Sequence, residues 1–229
     1  MKAKQIFTFK RIIFFLVFAA LVFTARRIGF SPVIGGEDQS FTFFQFFGPI
    51  TGSFLGPFIG AAAVCFAHLT DLLLHGGPVT SLGLLGILPM MFAAIFMGIK
   101  KRMAGVLVPL AAMIAFIIHP VGRQVWFFSL FWAIPILAVV FKRHSNKIVV
   151  RSLGATFTAH AVGTTIWIWT IPMTAGQWIS LIPVVVIERM IMAGGIAVSY
   201  VLLNKSLNWI LSRTSWNTSR SAVIINKLV

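Results

Sequence analysis

Long apolar stretches alternate along this chain with short clusters of cations that contain no acidic residue, and this alternation constrains the fold more than any other feature. Apolar stretches run over 11–28, 80–99, 103–119, 124–141, 152–171 and 178–204. Each approaches the ~20 residues that a helix needs to cross the ~30 Å hydrocarbon core of a bilayer. A further stretch, 41–75, exceeds one span and is interrupted by Pro49 and Pro57. It reads as two short helices or a re-entrant pair. Only 10% of the residues are charged and 59% are hydrophobic, whereas a soluble domain carries about 25% charged residues. So few charges cannot cover a water-facing surface. The expected fold is all-α: one polytopic transmembrane domain over 1–229, with cytoplasmic tails at 1–10 and 205–229.

Charge sets the expected orientation. Lys2, Lys4, Lys10 and Arg11 form one cluster, and Lys100, Lys101 and Arg102 a second. Lys142, Arg143, Lys147 and Arg151 form a third, and Lys205, Arg213, Arg220 and Lys227 a fourth. The positive-inside rule places all four, and hence both termini, in the cytoplasm. The other side receives 26–40, where Arg26 and Arg27 are balanced by Glu37 and Asp38, and the turns near 76–79, 119–123 and 172–177. The first helix then ends outside while Lys100 lies inside, so 41–75 must enter and return. The total is six full spans plus a hairpin, or eight spans. The net charge of +15 does not read as a nucleic-acid footprint, because no basic stripe alternates with polar contact residues. Lys10-Arg11 before an apolar run has the outline of a signal peptide. Arg26-Arg27 replaces the small-residue cleavage pattern, however, so the segment reads as a retained first helix. The single cysteine, Cys65, reads as a small packing residue.

Gly48, Gly52, Gly56 and Gly60 recur at every fourth position. On one helix they form a narrow stripe where another backbone can approach closely, the usual basis of helix association in lipid. The stripe serves either packing within the chain or docking of another subunit. Pro49 and Pro57 predict a kink or break along it.

Ionisable residues inside a bilayer are costly, so each is a candidate functional group. Glu188 and Arg189 lie about ten residues after Trp178, which at ~1.5 Å rise per residue places them ~15 Å deep. His160 reaches a similar depth in the preceding span, and the short turn Pro172–Gln177 makes the two helices antiparallel neighbours. Thr156, His160, Thr164 and Trp167 share one helical face. Trp169 and Trp178 lie nearer the outer surface, with Gln177 in the turn. The expected site is an outward-opening pocket with His160, Thr164, Glu188 and Arg189 toward its floor and Trp167, Trp169, Gln177 and Trp178 above. The competing reading makes the tryptophans interfacial anchors and the Glu188-Arg189 couple a structural ion pair.

His68, Asp71 and His75 share another face, with spacing compatible with a divalent metal, but no fourth ligand is evident and no metal or other cofactor is expected. His119 and Arg123 flank Pro120 at an outer turn and read as a solvated rim. There is no nucleophile elbow, no GxxxxGKS phosphate loop, no paired-cysteine site and no HExxH. The chain has no means of hydrolysing ATP, and any active transport needs energy from another chain. An enzyme is not expected; the alternatives are a membrane-embedded metal-dependent enzyme using His68, Asp71 and His75, a non-catalytic scaffold, or a stand-alone secondary transporter.

The stretch Phe47–Gly98 resembles the early-middle region of the substrate-binding S components of energy-coupling factor (ECF) transporters. The resemblance is carried by Gly52, Gly56, Gly60, Asp71, Gly76 and Gly98, and by the last span with Pro183 near its start. It implies a membrane subunit that captures a small vitamin- or precursor-like molecule from outside. The same resemblance implies a transmembrane coupling subunit and cytoplasmic ATPases as partners. Docking in that family uses small residues of the first helix, which fall here on Ala20 and Thr24. The chain begins Met1-Lys2, so it lacks the N-terminal Met-His of the cobalt and nickel branch. The run across 103–141 exceeds the family's usual six-span plan.

Overall fold

A computed structural model describes residues 9–32, 40–75, 81–99, 102–140 and 147–213. It is mostly helical. Helix α1 (Phe9–Ala25) leads into a two-stranded antiparallel hairpin, β1 (Gly29–Pro32) and β2 (Ser40–Thr42). Then come α2 (Phe44–Leu55), α3 (Pro57–His75), α4 (Ser81–Leu85), α5 (Leu88–Gly98) and α6 (Arg102–Ile118). Helix α7 (Pro120–Gln124), a 3₁₀ segment (Trp126–Trp132) and α8 (Ala133–Val140) precede the two longest helices, α9 (Ile148–Thr170) and α10 (Ala175–Arg213). Among the described residues, two helices are long and apolar enough to cross a membrane, over Pro57–Leu74 and Ala175–Ile210.

The stretch 41–75 folds back on itself as a helical hairpin of α2 and α3. Gly56, at φ +89°, sits between α2 and α3, a left-handed backbone that glycine adopts without a Cβ penalty. Pro57 then opens α3, where its missing N–H costs no helical bond. The chain folds back so closely that a Cβ on Gly60 would lie 2.5 Å from the Gly52 nitrogen. The Thr51 hydroxyl is shared between the carbonyls of Gly48 (2.7 Å) and Gly60 (3.1 Å). Helix α5 closes the other side, since a Cβ on Gly52 would fall 1.7 Å from the Ala94 carbonyl oxygen. Gly98, at the end of α5, approaches Pro57 in the same way. The glycine ladder is therefore not one stripe on one helix. Gly48, Gly52 and Gly60 are buried in the chain's own packing and Gly56 forms its elbow, which corrects their expected use in partner docking.

Two of the expected spans are broken. Residues 80–99 divide into α4 and α5 near Gly86, and 124–141 begins with the aromatic 3₁₀ segment rather than a straight helix. There the Ser129 hydroxyl donates to the Trp126 carbonyl at 2.7 Å, a local side-chain bond that competes with regular helix.

Element direction gives the bundle two unlike ends. Arg26 and Arg27, just beyond α1, grip Asp71 near the end of α3, at 3.1 and 2.6 Å. The start of α5 and the junction of α9 with α10 lie toward this same end. At the other end, Arg151 on the first turn of α9 donates to the Phe96, Met97 and Ile99 carbonyls at the end of α5. These orphaned helix-terminal acceptors are ordinarily left to caps or water. The apolar interior forms two clusters. One joins α1, α2, α3 and α5 to the second half of α10, around Phe18, Phe54 and Tyr200. The other joins α6, the 3₁₀ segment and α9 to the first half of α10, around Phe116, Phe128, Trp132 and Trp178.

Candidate functional site

A cavity of about 420 Å³ lies between the two clusters, at the end marked by the Arg26–Asp71 contact. Its floor and far wall come from the last two long helices. The turn between them is fixed by Thr174 and Gln177: Gln177 Oε1 accepts from the Thr174 N–H at 2.8 Å, and Thr174 Oγ1 accepts from the Gln177 N–H at 3.3 Å. This reciprocal pair is a capping box. It starts α10 so that Trp178, Leu181, Val185 and Glu188, spaced three and four apart, share one face. Opposite them, α9 presents Ala159, His160, Gly163, Thr164 and Trp167.

His160 sits inside an aromatic shell formed by Phe128, Phe131, Trp132 and Phe157, with ring centroids 5.8–6.4 Å away. The Trp132 indole donates to His160 Nδ1 at 3.1 Å. An indole N–H can only donate, so Nδ1 is unprotonated and a neutral ring carries its proton on Nε2. Glu188 and Arg189 reach the same cavity. Consecutive helical residues project ~100° apart, so Arg189 must curl back to meet Glu188, at 3.3 Å. Arg189 is 6% exposed; its guanidinium also lies over the Phe41 ring, 5.4 Å from the centroid.

Six of the eight expected pocket residues thus come together: His160, Thr164, Trp167, Trp178, Glu188 and Arg189. Trp169 and Gln177 do not. Trp169 lies on the outer surface of α9, donates to the Ala115 carbonyl at 3.1 Å and packs against His119. Gln177 is engaged in the helix cap. His119 itself caps α7, its Nδ1 accepting from the Val121 N–H at 3.3 Å. Residues 33–39 between β1 and β2 lie outside the described residues, but Phe41 and Thr42 of β2 line the cavity.

Several contributors were not expected. Arg26, Phe44, Gln45, Pro89 and Met90 complete the near wall. Arg26 lies over the Phe44 ring, 5.0 Å from the centroid. Burial pulls the Arg26 guanidinium below its ordinary pKa, and the hydrogen bond to Asp71 opposes that pull. His68 also lines the cavity. The grouping of His68, Asp71 and His75 as metal ligands finds no support: two guanidiniums occupy the Asp71 carboxylate, and the side chain of His75 lies outside the described residues. Among the described residues no three His, Cys, Asp or Glu side chains gather as a metal site.

Three residues that line the cavity carry a buried polar atom with no hydrogen-bond partner among the described residues: His68 Nδ1, Trp178 Nε1 and Arg189 Nε. A buried polar atom left unpaired costs ~1–3 kcal/mol; the Trp178 and Arg189 nitrogens are donors only, whereas His68 Nδ1 belongs to a ring that can donate or accept there. No protein-family model matches the chain, and neither a curated protein nor a solved structure is significantly similar to it.

Proposed function

We propose that this chain is a multi-pass membrane protein that captures a small organic molecule in the cavity between α9, α10 and the α2–β2 corner. It would work in the manner of an ECF S component, with ATP hydrolysis supplied by partner subunits. The observation that carries the reading is the cavity itself. Convergent polar groups in a largely apolar, partly enclosed space of this size are the usual form of a small-molecule site. A structural ion pair alone needs no such space beside it.

The membrane part of the reading rests on the outer surface. Leu16 and Val17 on α1, Phe58 and Leu73 on α3, Leu107 on α6, and Ile187 and Leu202 on α10 are all exposed. Apolar groups facing outward around most of the bundle suit lipid and not water. The charge distribution agrees. Lys147, Arg151, Lys205 and Arg213 belong to the end away from the cavity, so the positive-inside rule puts the cavity mouth outside. The return of α2 through Gly56 into α3 supplies the reversal that this orientation needs. For the coupling subunit, α1 remains the candidate contact: Ala20 and Thr24 lie on its exposed face, and the Thr24 hydroxyl is satisfied by the Ala20 carbonyl at 2.9 Å.

Native mass spectrometry of gently purified full-length protein tests the capture reading. The expected spectrum shows a retained small molecule in the wild type. Gly163→Leu, which fills the cavity without altering a charge, should release it. A molecule held equally by both forms, or by neither, counts against capture in this cavity. Reporter fusions within 26–40 and after Arg213 test the orientation independently.

A further inference from the structure

Granted that the cavity is a capture site, the contact between Trp132 and His160 restricts what it can hold. Trp132 is completely buried and set edge-on against Phe116, with ring centroids 5.2 Å apart. Its one indole N–H donates to His160 Nδ1, and it has no lone pair with which to accept. An imidazolium would set N–H against N–H at this contact, and so would the other neutral tautomer. His160 is thereby held as a neutral ring with its proton on Nε2. Neither ring nitrogen keeps a free lone pair, so in this arrangement the residue is neither a base nor a metal ligand. What it offers is a single donor.

That donor is open. His160 is half-buried and lines the cavity. Its Nε2 makes no hydrogen bond among the described residues and is not one of the side-chain atoms enclosed without a partner. The neighbouring helix α10 offers the complement. Glu188 Oε2 accepts from Arg189 at 3.3 Å, on a side chain 18% exposed, while Oε1 is neither bonded nor enclosed among the described residues. A guanidinium only donates, so the carboxyl it meets serves as an acceptor. Donor from α9 and acceptor from α10 thus reach the same space, and the lining around them is flat and aromatic, from Trp167, Trp178 and Phe128.

We propose that the cavity receives a flat ring compound bearing both a carbonyl acceptor and an N–H donor, as a lactam or cyclic imide does. The acceptor meets His160 Nε2–H and the donor meets Glu188 Oε1. Trp132 is a positioning residue: it fixes which nitrogen of His160 carries the proton. A ring without the acceptor leaves the His160 donor unpaired, and a ring without the donor does the same to the Glu188 oxygen. A site built on hydrogen bonds discriminates strongly against analogues that lack them.

Three bicyclic probes decide this: isoquinolin-1-one, which has both groups; its N-methyl derivative, which lacks the donor; and 3-methylindole, which lacks the acceptor. Their binding to the detergent-solubilised full-length protein is measured by calorimetry after any retained molecule has been exchanged out, with empty micelles as the blank. Isoquinolin-1-one is expected to bind at least about tenfold more tightly than either of the others. His160→Gln, whose carboxamide can accept from Trp132 and still donate to the cavity, should keep the preference over 3-methylindole, and His160→Leu should abolish it. Trp132→Phe, which releases the other tautomer, should narrow that preference without weakening 3-methylindole. Glu188→Met should remove the penalty for N-methylation, which a merely steric penalty would survive. Equal affinity for isoquinolin-1-one and 3-methylindole, a preference unchanged in His160→Leu, an N-methylation penalty unchanged in Glu188→Met, or failure of all three probes to bind overturns the assignment. None of these results touches the capture reading, which stands or falls on release of the retained molecule by Gly163→Leu.

Discussion

The α2–α3–α5 seam and the α9–α10 aromatic cluster are both buried, yet they pack by opposite means. In the seam, side chains are removed until backbones meet: Gly52 against Ala94, Gly60 against Gly52, Gly98 against Pro57. In the cluster, large rings meet edge to face, with Phe116 against Trp132 and Trp178 at 5.2 and 5.5 Å. Backbone contact leaves no room and no adjustable part. Rings on long side chains cannot close completely against such a surface, and a space remains where the two regimes adjoin. The comparison teaches that a rigid seam and a bulky cluster, placed side by side on α10, produce a hollow without any element being dedicated to it.

The contrast is open to direct attack. The largest effect is expected in the seam. Gly52→Ala should cost about 3 kcal/mol or more in thermal unfolding measured in micelles, because backbone cannot yield as a side chain can. Gly194→Ala, with no atom within 4 Å of the new Cβ, should be neutral or slightly stabilising by helix propensity. Equal losses at the two positions would show that the seam is not special. Next comes Arg151→Met, which strips the α5 carbonyls of their donor and should cost about 2–3 kcal/mol in the same assay. Trp132→Phe sharpens the other side of the contrast. It keeps the ring packing but frees His160 Nδ1, so a loss of about 1 kcal/mol should come with weakened retention of the bound molecule in native mass spectra. Smallest is Gln177→Ala. Losing half of a capping box should cost about 0.5–1 kcal/mol, with no change in retention, since Gln177 does not line the cavity.

Much of this was legible in the sequence, and the failures have physical causes. Helical periodicity placed Thr164 and Trp167 on the His160 face, and the short turn made α9 and α10 neighbours. That sufficed to bring His160 to Glu188 and Arg189. Gln177 was misplaced because Thr174-Ala175-Gly176-Gln177 was read as a loop and not as a capping box, although its spacing was available. Trp169 was misplaced because two residues on a helix turn a side chain by ~200°, which separates it from Trp167. The Arg26 side of the cavity was not legible. It depends on α1 ending beside α3 and on a short β-hairpin, both long-range outcomes with no local signature. The break along the glycine ladder was legible from Pro49 and Pro57, but the four-residue spacing could not report that Gly56 would be the elbow and that Gly52 and Gly60 would face each other across it.

Helix α10 runs unbroken from the cavity to the cation-rich end, about 58 Å at ~1.5 Å per residue. That is nearly twice the ~30 Å thickness of a bilayer core, so in the proposed membrane setting its final turns, with Lys205 and Arg213, would stand clear of the hydrocarbon. A rod of this length is a lever. Closing Trp178 and Glu188 around an occupant by a tilt of a few degrees would swing the opposite tip through several ångströms, turning occupancy on one side into displacement on the other.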